Sequence, residues 1–81
     1  MSLDKFVNVF ETAIEAVESG TLSAQTNYKA LREWDSLAIL TVIDAIEMEY
    51  GILLNGKHFK NTETIEDLYQ SIQKRMSANR L

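Results

Sequence analysis

The segment Trp34-Asp35-Ser36-Leu37 carries the most chemical potential in this chain. An Asp and a Ser standing directly ahead of an apolar-periodic run sit where a helix begins. A helix N-terminus presents unpaired N–H groups and a partial positive charge. A phosphate joined to the Ser36 hydroxyl would therefore be stabilised by the helix end itself. The same pair also reads as plain N-cap residues, and the three letters Asp-Ser-Leu do not separate the two readings.

Other chemistry can be searched for and set aside. The chain has one His and no Cys, so neither a Cys–His nucleophile pair nor a multi-His metal site can be assembled. His58, between Lys57 and Phe59, reads as a surface or helix-edge residue. Ser36 lacks the glycine-flanked elbow of a hydrolase. Gly20, Gly51 and Gly56 are isolated and make no phosphate loop. Asp44 and Glu47 fall on a solvated helix side, where acid–base work is not expected. No catalytic residue and no metal ligand is assigned, and the chain reads as a non-enzyme.

The elements that must hold Ser36 follow from periodicity. Leu3, Phe6, Val7, Phe10, Ala13, Ile14 and Val17 keep to one helical stripe, which predicts a first helix over 3–18 with Ser2 as cap and Gly20 as stop. Residues 19–35 have no period, and Leu22, Tyr28, Leu31 and Trp34 read as anchors of a long ordered connection. A second helix over 36–50 starts at Asp35 or Ser36 and stops at Gly51. Its core face is Ile39, Val42, Ile43, Ile46 and Tyr50. Leu37, Thr41, Asp44 and Met48 form a mixed stripe on the other side. Leu53, Leu54 and Phe59 anchor a short third helix over 57–61. A fourth helix over 64–77 opens on Thr64 and Asp67 at capping-box spacing, with Ile65, Leu68, Tyr69, Ile72 and Met76 inward. The expected architecture is one all-α domain over 1–81.

Composition narrows the partners. Twelve Asp and Glu against eight Lys and Arg give a net charge of −4, which disfavours nucleic acid. Glu33, Asp35, Asp44, Glu47 and Glu49 make the second-helix region the acidic surface, suited to basic protein partners. The longest apolar run, Leu37 to Ile46, is broken by Thr41 and Asp44 and falls short of the roughly 18 residues of a membrane span. The opening MSLDKF has no signal character. The expectation is a cytoplasmic monomer with no membrane insertion.

The stretch WDSLAILTVIDAIEMEYGILLNGKHFKNTETIEDLYQSI resembles the acyl carrier protein family. The match consists of a DSL serine, an apolar second helix closing on Glu47-Met48-Glu49-Tyr50-Gly51-Ile52, a short third helix, and a Thr-capped fourth helix at Thr64-Ile65-Glu66-Asp67-Leu68. It spans about residues 3–73. The resemblance implies a four-helix bundle with a long loop between helices 1 and 2. It also implies that Ser36 receives 4′-phosphopantetheine from coenzyme A through a phosphopantetheinyl transferase, with Asp35 supporting Mg²⁺ in that transferase or capping the helix. The arm would carry acyl thioesters for fatty acid, polyketide, surface-glycan or secondary-metabolite synthesis. Implied partners are an acyl- or aminoacyl-activating ligase and acyltransferase or ketosynthase-type enzymes, docked on Leu37, Asp44, Glu47 and Met48. A D-alanyl, aminoacyl or peptidyl carrier is the alternative, and a helical adaptor with Ser36 only a cap is the alternative of another class.

Departures from the family pattern point to a specialised, stand-alone carrier. Ala38 and Thr41 stand where fatty-acid carriers place acidic residues, Asp44 where many are apolar, and Trp34 precedes the Asp. Leu68, Tyr69 and Phe59 are bulky where carriers of long chains are slim, which predicts a short, polar or aminoacyl cargo, or one left outside on the arm.

Overall fold

The computed structural model describes residues 2–78 apart from 15, 16 and 19, with side chains described as far as 75. Helix α1, Leu3–Ala13, is capped by Ser2, whose Oγ accepts the Lys5 N–H at 3.2 Å. Its stripe puts Phe6 and Phe10 out of solvent altogether, with Leu3 and Val7 half-buried beside them. The helix ends at Ala13 and not at 18, because Ile14 is extended (φ −103°, ψ 98°) and turns its side chain into the core. Glu11 enforces that stop. Its buried carboxylate accepts the Gly20 N–H at 2.7 Å and the Leu22 N–H at 2.8 Å, drawing the chain back under the helix end. Gly20 has φ +88° and serves this return, not the helix terminus.

The connection is ordered by more than its apolar anchors. Tyr28–Ala30 form a one-turn 3₁₀ helix capped by Asn27. Backbone bonds tie the strip just before it to the start of the last helix: Tyr28 N–H to Glu63, Ile65 N–H to Thr26 and Glu66 N–H to Ala24. An isolated antiparallel bridge pairs Asn27 with Thr64. The Tyr28 hydroxyl meets Thr62 Oγ1 and the Thr62 carbonyl in the core. Burial is the main cause that holds the phenol above its ordinary value, while the Thr62 hydrogen bond pulls it back down.

Helix α2, Ser36–Tyr50, closes on Gly51 in the left-handed region (φ +70°), where a side chain would strain the backbone. Ala38, Val42 and Ile46 are its buried residues, while Ile39, Ile43 and Tyr50 pack half-buried against the core. Ala38, at a position where fatty-acid carriers place an acidic residue, therefore lies inside. After Gly51, Ile52 and Leu54 turn inward and Leu53 turns out. Helix α3, Gly56–Lys60, begins one residue earlier than 57. Asn55 caps it, and His58 Nδ1 accepts the Asn55 N–H in return at 3.2 Å. His58 is a helix-edge residue whose Nε2 lies 2.8 Å from Arg75 Nη1.

Helix α4, Ile65–Ala78, opens on a reciprocal box. Thr64 Oγ1 accepts the Asp67 N–H at 3.1 Å, and Asp67 Oδ2 accepts the Thr64 N–H at 3.2 Å. The Thr64 and Glu63 N–H groups hold the Asp67 carboxyl below its usual range. Ile65, Leu68, Tyr69 and Ile72 face the core; the Met76 side chain lies outside the described residues. Helix α1 packs on α2 and α4, and α3 on α4, giving an all-α four-helix bundle with no named strand among the described residues.

Candidate functional site

Asp35 and Ser36 divide the labour at the mouth of α2. Asp35 is the cap: it is extended, its Oδ1 accepts the Ala38 N–H at 2.8 Å, and its carbonyl accepts the Ile39 N–H at 3.0 Å. Ser36 is the first helical residue and is exposed. No described residue hydrogen-bonds its hydroxyl. The N–H groups of Ser36 and Leu37 open outward from the helix end, as the first N–H groups of any helix do. A singly attached phosphate fits this position because a negative charge there meets the positive end of the fifteen-residue α2.

Aromatic packing fixes where that hydroxyl sits. Trp34, two residues before Ser36, stacks on Phe10 of α1 (centroids 5.8 Å, planes 10° apart) and meets Tyr28 edge-on at 4.8 Å and Phe59 of α3 at 5.7 Å. Tyr28 lies 5.3 Å from Phe10 and 6.1 Å from Phe59. These four rings tie the start of α2 to α1, the connection and α3. Such pairs contribute about 0.5–1.5 kcal/mol each beyond area burial. Of the rings, Phe10, Tyr28 and Phe59 are buried, as are Leu68 and Tyr69.

The outward side of α2 is apolar and acidic at once. Leu37 is 67% exposed, Leu40 63% and Met48 82%, with Asp44 and Glu47 exposed among them. At 100° per residue these five positions fall within about a third of a turn. Leu53, in the loop after α2, is also 63% exposed. The sequence analysis named Leu37, Asp44, Glu47 and Met48 on this face and did not name the exposed Leu40. Leu40 stands three residues after Leu37, which was the available signal. Glu49 points elsewhere and pairs with Lys5 of α1 at 2.8 Å, which raises the Lys5 ammonium above its ordinary value.

Beside Ser36, a groove of about 550 Å³ runs between the end of α1 and the start of α2. Thr12, Ala13 and Ile14 form one wall, Leu37, Ala38 and Thr41 the other, and Glu33 and Asp35 border it. Among the described residues no three His, Asp or Glu side chains gather as a metal site, and no helix is long and apolar enough to cross a membrane.

No family model matches this sequence, and no curated protein matches it. The structure is similar to the solution NMR structure of a holo acyl carrier protein from Geobacter metallireducens, with a TM-score of 0.73 and 22% identity over 95% of this chain and 87% of that one. On that likeness, this chain has the fold of an acyl carrier protein.

Proposed function

We propose that this chain is a carrier protein that holds acyl or aminoacyl groups as thioesters on a 4′-phosphopantetheine arm attached to Ser36. The observation that carries the reading is the exposed Ser36 hydroxyl at the first position of α2, in a fold shared with a holo acyl carrier protein. The cap role belongs to Asp35, so the adaptor reading, in which Ser36 is only a cap, loses its motive.

In the proposed modification, Ser36 Oγ forms a bond to the phosphorus of coenzyme A that bears pantetheine. The bond from that phosphorus to the bridging oxygen breaks, and adenosine 3′,5′-bisphosphate leaves. The Ser36 proton passes to a base of the transferase. Asp35 keeps its Oδ1 on the Ala38 N–H and has Oδ2 left for Mg²⁺ in the transferase complex. The bound arm supplies the thiol that the chain, with no Cys, lacks.

The protein itself contributes position and recognition, not bond-making groups. Leu37, Leu40, Asp44, Glu47 and Met48 offer partner enzymes an apolar strip with carboxylates in it. The charges would steer encounter and the apolar side chains would slow dissociation. The partners proposed are the transferase, an activating ligase and acyltransferase or ketosynthase-type enzymes, acting in the cytoplasm on a monomeric carrier in a specialised biosynthesis.

Intact-mass measurement after incubation with coenzyme A and a broad-specificity phosphopantetheinyl transferase tests this. Wild type should gain one phosphopantetheine and Ser36→Ala none. Wild type left unmodified by several competent transferases, or a modified alanine variant, would overturn the reading.

A further inference from the structure

The groove beside Ser36 has a one-sided polar chemistry. Every polar side chain that lines it presents an acceptor. Thr41 Oγ1 already donates its proton to the Ala38 carbonyl at 3.0 Å, and Thr12 Oγ1 donates to Asn8 Oδ1 at 3.4 Å. Each is left with oxygen lone pairs only. Glu33 and Asp35 add two carboxylates, and no Lys, Arg or His is among the described lining residues. No ion pair among the described residues involves either acid. Beyond Glu33, a second hollow of about 300 Å³ lined by Val17, Thr21, Leu22 and Leu31 adds the carboxylate of Glu18 and again no cation. The trough is apolar along its sides, its described polar side chains offer acceptors, and Glu18, Glu33 and Asp35 give it three carboxylates.

A guest that fits such a lining has donors, positive charge and a short apolar body. An ammonium group has three donors and no acceptor. A carboxylate-bearing guest would face Glu33 and Asp35 as like charges. The groove starts at Asp35 and Leu37, the two neighbours of Ser36, so an arm rooted on Ser36 begins at its rim. The volume of about 550 Å³ lies within the roughly 300–1,000 Å³ of small-molecule sites. Among the described residues, Phe10, Tyr28, Trp34 and Phe59 pack against one another, so a guest entering between them would have to part these rings.

We infer that the groove between α1 and α2 takes a short aminoacyl thioester, with the cargo ammonium set against the Glu33 carboxylate. This rests on the carrier reading of Ser36 and assigns the cargo class. Glu33 is a specificity-determining residue in this assignment: it holds the cargo and takes no part in the transfer.

The test uses full-length protein loaded on Ser36 from β-alanyl-, butyryl- and succinyl-coenzyme A by the same transferase. The first two cargoes are nearly isosteric and differ in the charge of one terminus; the third is anionic. At low salt the β-alanyl form should melt about 2–4 °C above the butyryl form. Its amide spectrum should shift at Ala13, Ile14, Glu33 and Thr41, with the succinyl form leaving these signals in place. Half-molar salt should remove the difference. Glu33→Gln should be loaded as well as wild type and should lose at least half of it. Equal melting and equal spectra for the β-alanyl and butyryl forms, or succinyl shifts at the same residues, would overturn the cargo assignment while leaving the carrier reading intact. Failure of all three cargoes to load would overturn the carrier reading, and the assignment with it.

Discussion

The Glu11 carboxylate accepts the N–H of Leu22 at 2.8 Å across eleven residues of chain, inside the protein, and the Gly20 N–H at 2.7 Å beside it. Removing that carboxylate leaves both donors without this acceptor. Glu11→Ala should cost about 2–6 kcal/mol at roughly 1–3 per stranded group, a large share of the 4–12 or so expected for a domain of this size. Glu11→Gln keeps one carbonyl acceptor and should cost about half as much. Urea midpoints followed by circular dichroism measure both; a loss below about 0.5 kcal/mol for the alanine variant would contradict the role given to Glu11.

Asp35 separates structural capping from the proposed chemistry. Asp35→Ala removes the acceptor of the Ala38 N–H and should cost about 1 kcal/mol, or about 4–8 °C in Tm. Asp35→Asn retains the cap and should melt close to wild type. If Asp35 also supports Mg²⁺ in the transferase complex, the asparagine variant will take up phosphopantetheine at least tenfold more slowly at unchanged stability. Equal modification rates for Asn and wild type would confine Asp35 to capping.

Alkaline pH should loosen the core through its tyrosines. Burial is the largest cause holding both Tyr28 and Tyr50 above the ordinary value of 10.0. A raised acid favours folding while protonated, so this contribution is complete below pH 10 and is lost as pH climbs through the folded-state values. Tyr28→Phe removes the hydroxyl bond to Thr62 and should cost about 0.5–1.5 kcal/mol at neutral pH. The variant should also lose less stability than wild type between pH 9 and 11, with Tyr50 supplying the remainder. Parallel stability curves for the two proteins would rule this out.

The outward strip of α2 should govern transfer and not folding. Reversing Asp44 and Glu47 together to Lys leaves exposed positions exposed. It should slow modification by the transferase several-fold at low salt, with the gap narrowing as salt rises. Leu40→Ser and Met48→Ser should act on dissociation instead. Helicity unchanged with no change in rate at low salt would remove this strip from recognition.

Long cargo should find no room inside. Phe59, Leu68 and Tyr69 are buried in a core closed by stacked rings. An eight-to-ten-carbon acyl chain loaded on Ser36 should therefore leave Tm within about 2 °C of the holo form, since opening a packed core costs about 1–3 kcal/mol. A marked rise in Tm with altered NMR signals at Leu68, Tyr69 and Phe59 would show that the interior opens.

Features written in side chains close together in sequence were legible there. Asp35 before α2, Gly51 after it and the Thr64–Asp67 box each act within four residues, and their hydrogen bonds match the residue types that signalled them. The stripe of Phe6 and Phe10 is legible for the same reason. The end of α1 is not, because it depends on Glu11 meeting backbone N–H groups at 20 and 22, and backbone donors leave no mark in a sequence. A glutamate beside Phe10 counts as surface until the chain folds over it. Ala38 is buried as well, and its burial was not legible, since a small residue carries little pattern. At the candidate site, Ser36 and the acidic strip were visible, while the groove, assembled from α1 and α2 together, was not.

The pairing of residues 24–28 with 63–66 has a kinetic side. An up-and-down helical bundle joins neighbours in sequence, and folds quickly for that reason. Here Asn27 must find Thr64 before the bridge, the Ile65 and Glu66 backbone bonds and the Tyr28–Thr62 contact can form. Closing a loop of nearly forty residues costs about 3 kcal/mol of chain entropy or more, and no local contact offsets it in advance. The step that joins the connection to α4 should therefore set the folding rate, so that weakening the contacts between residues 24–28 and 62–66 slows refolding more than weakening any single helix.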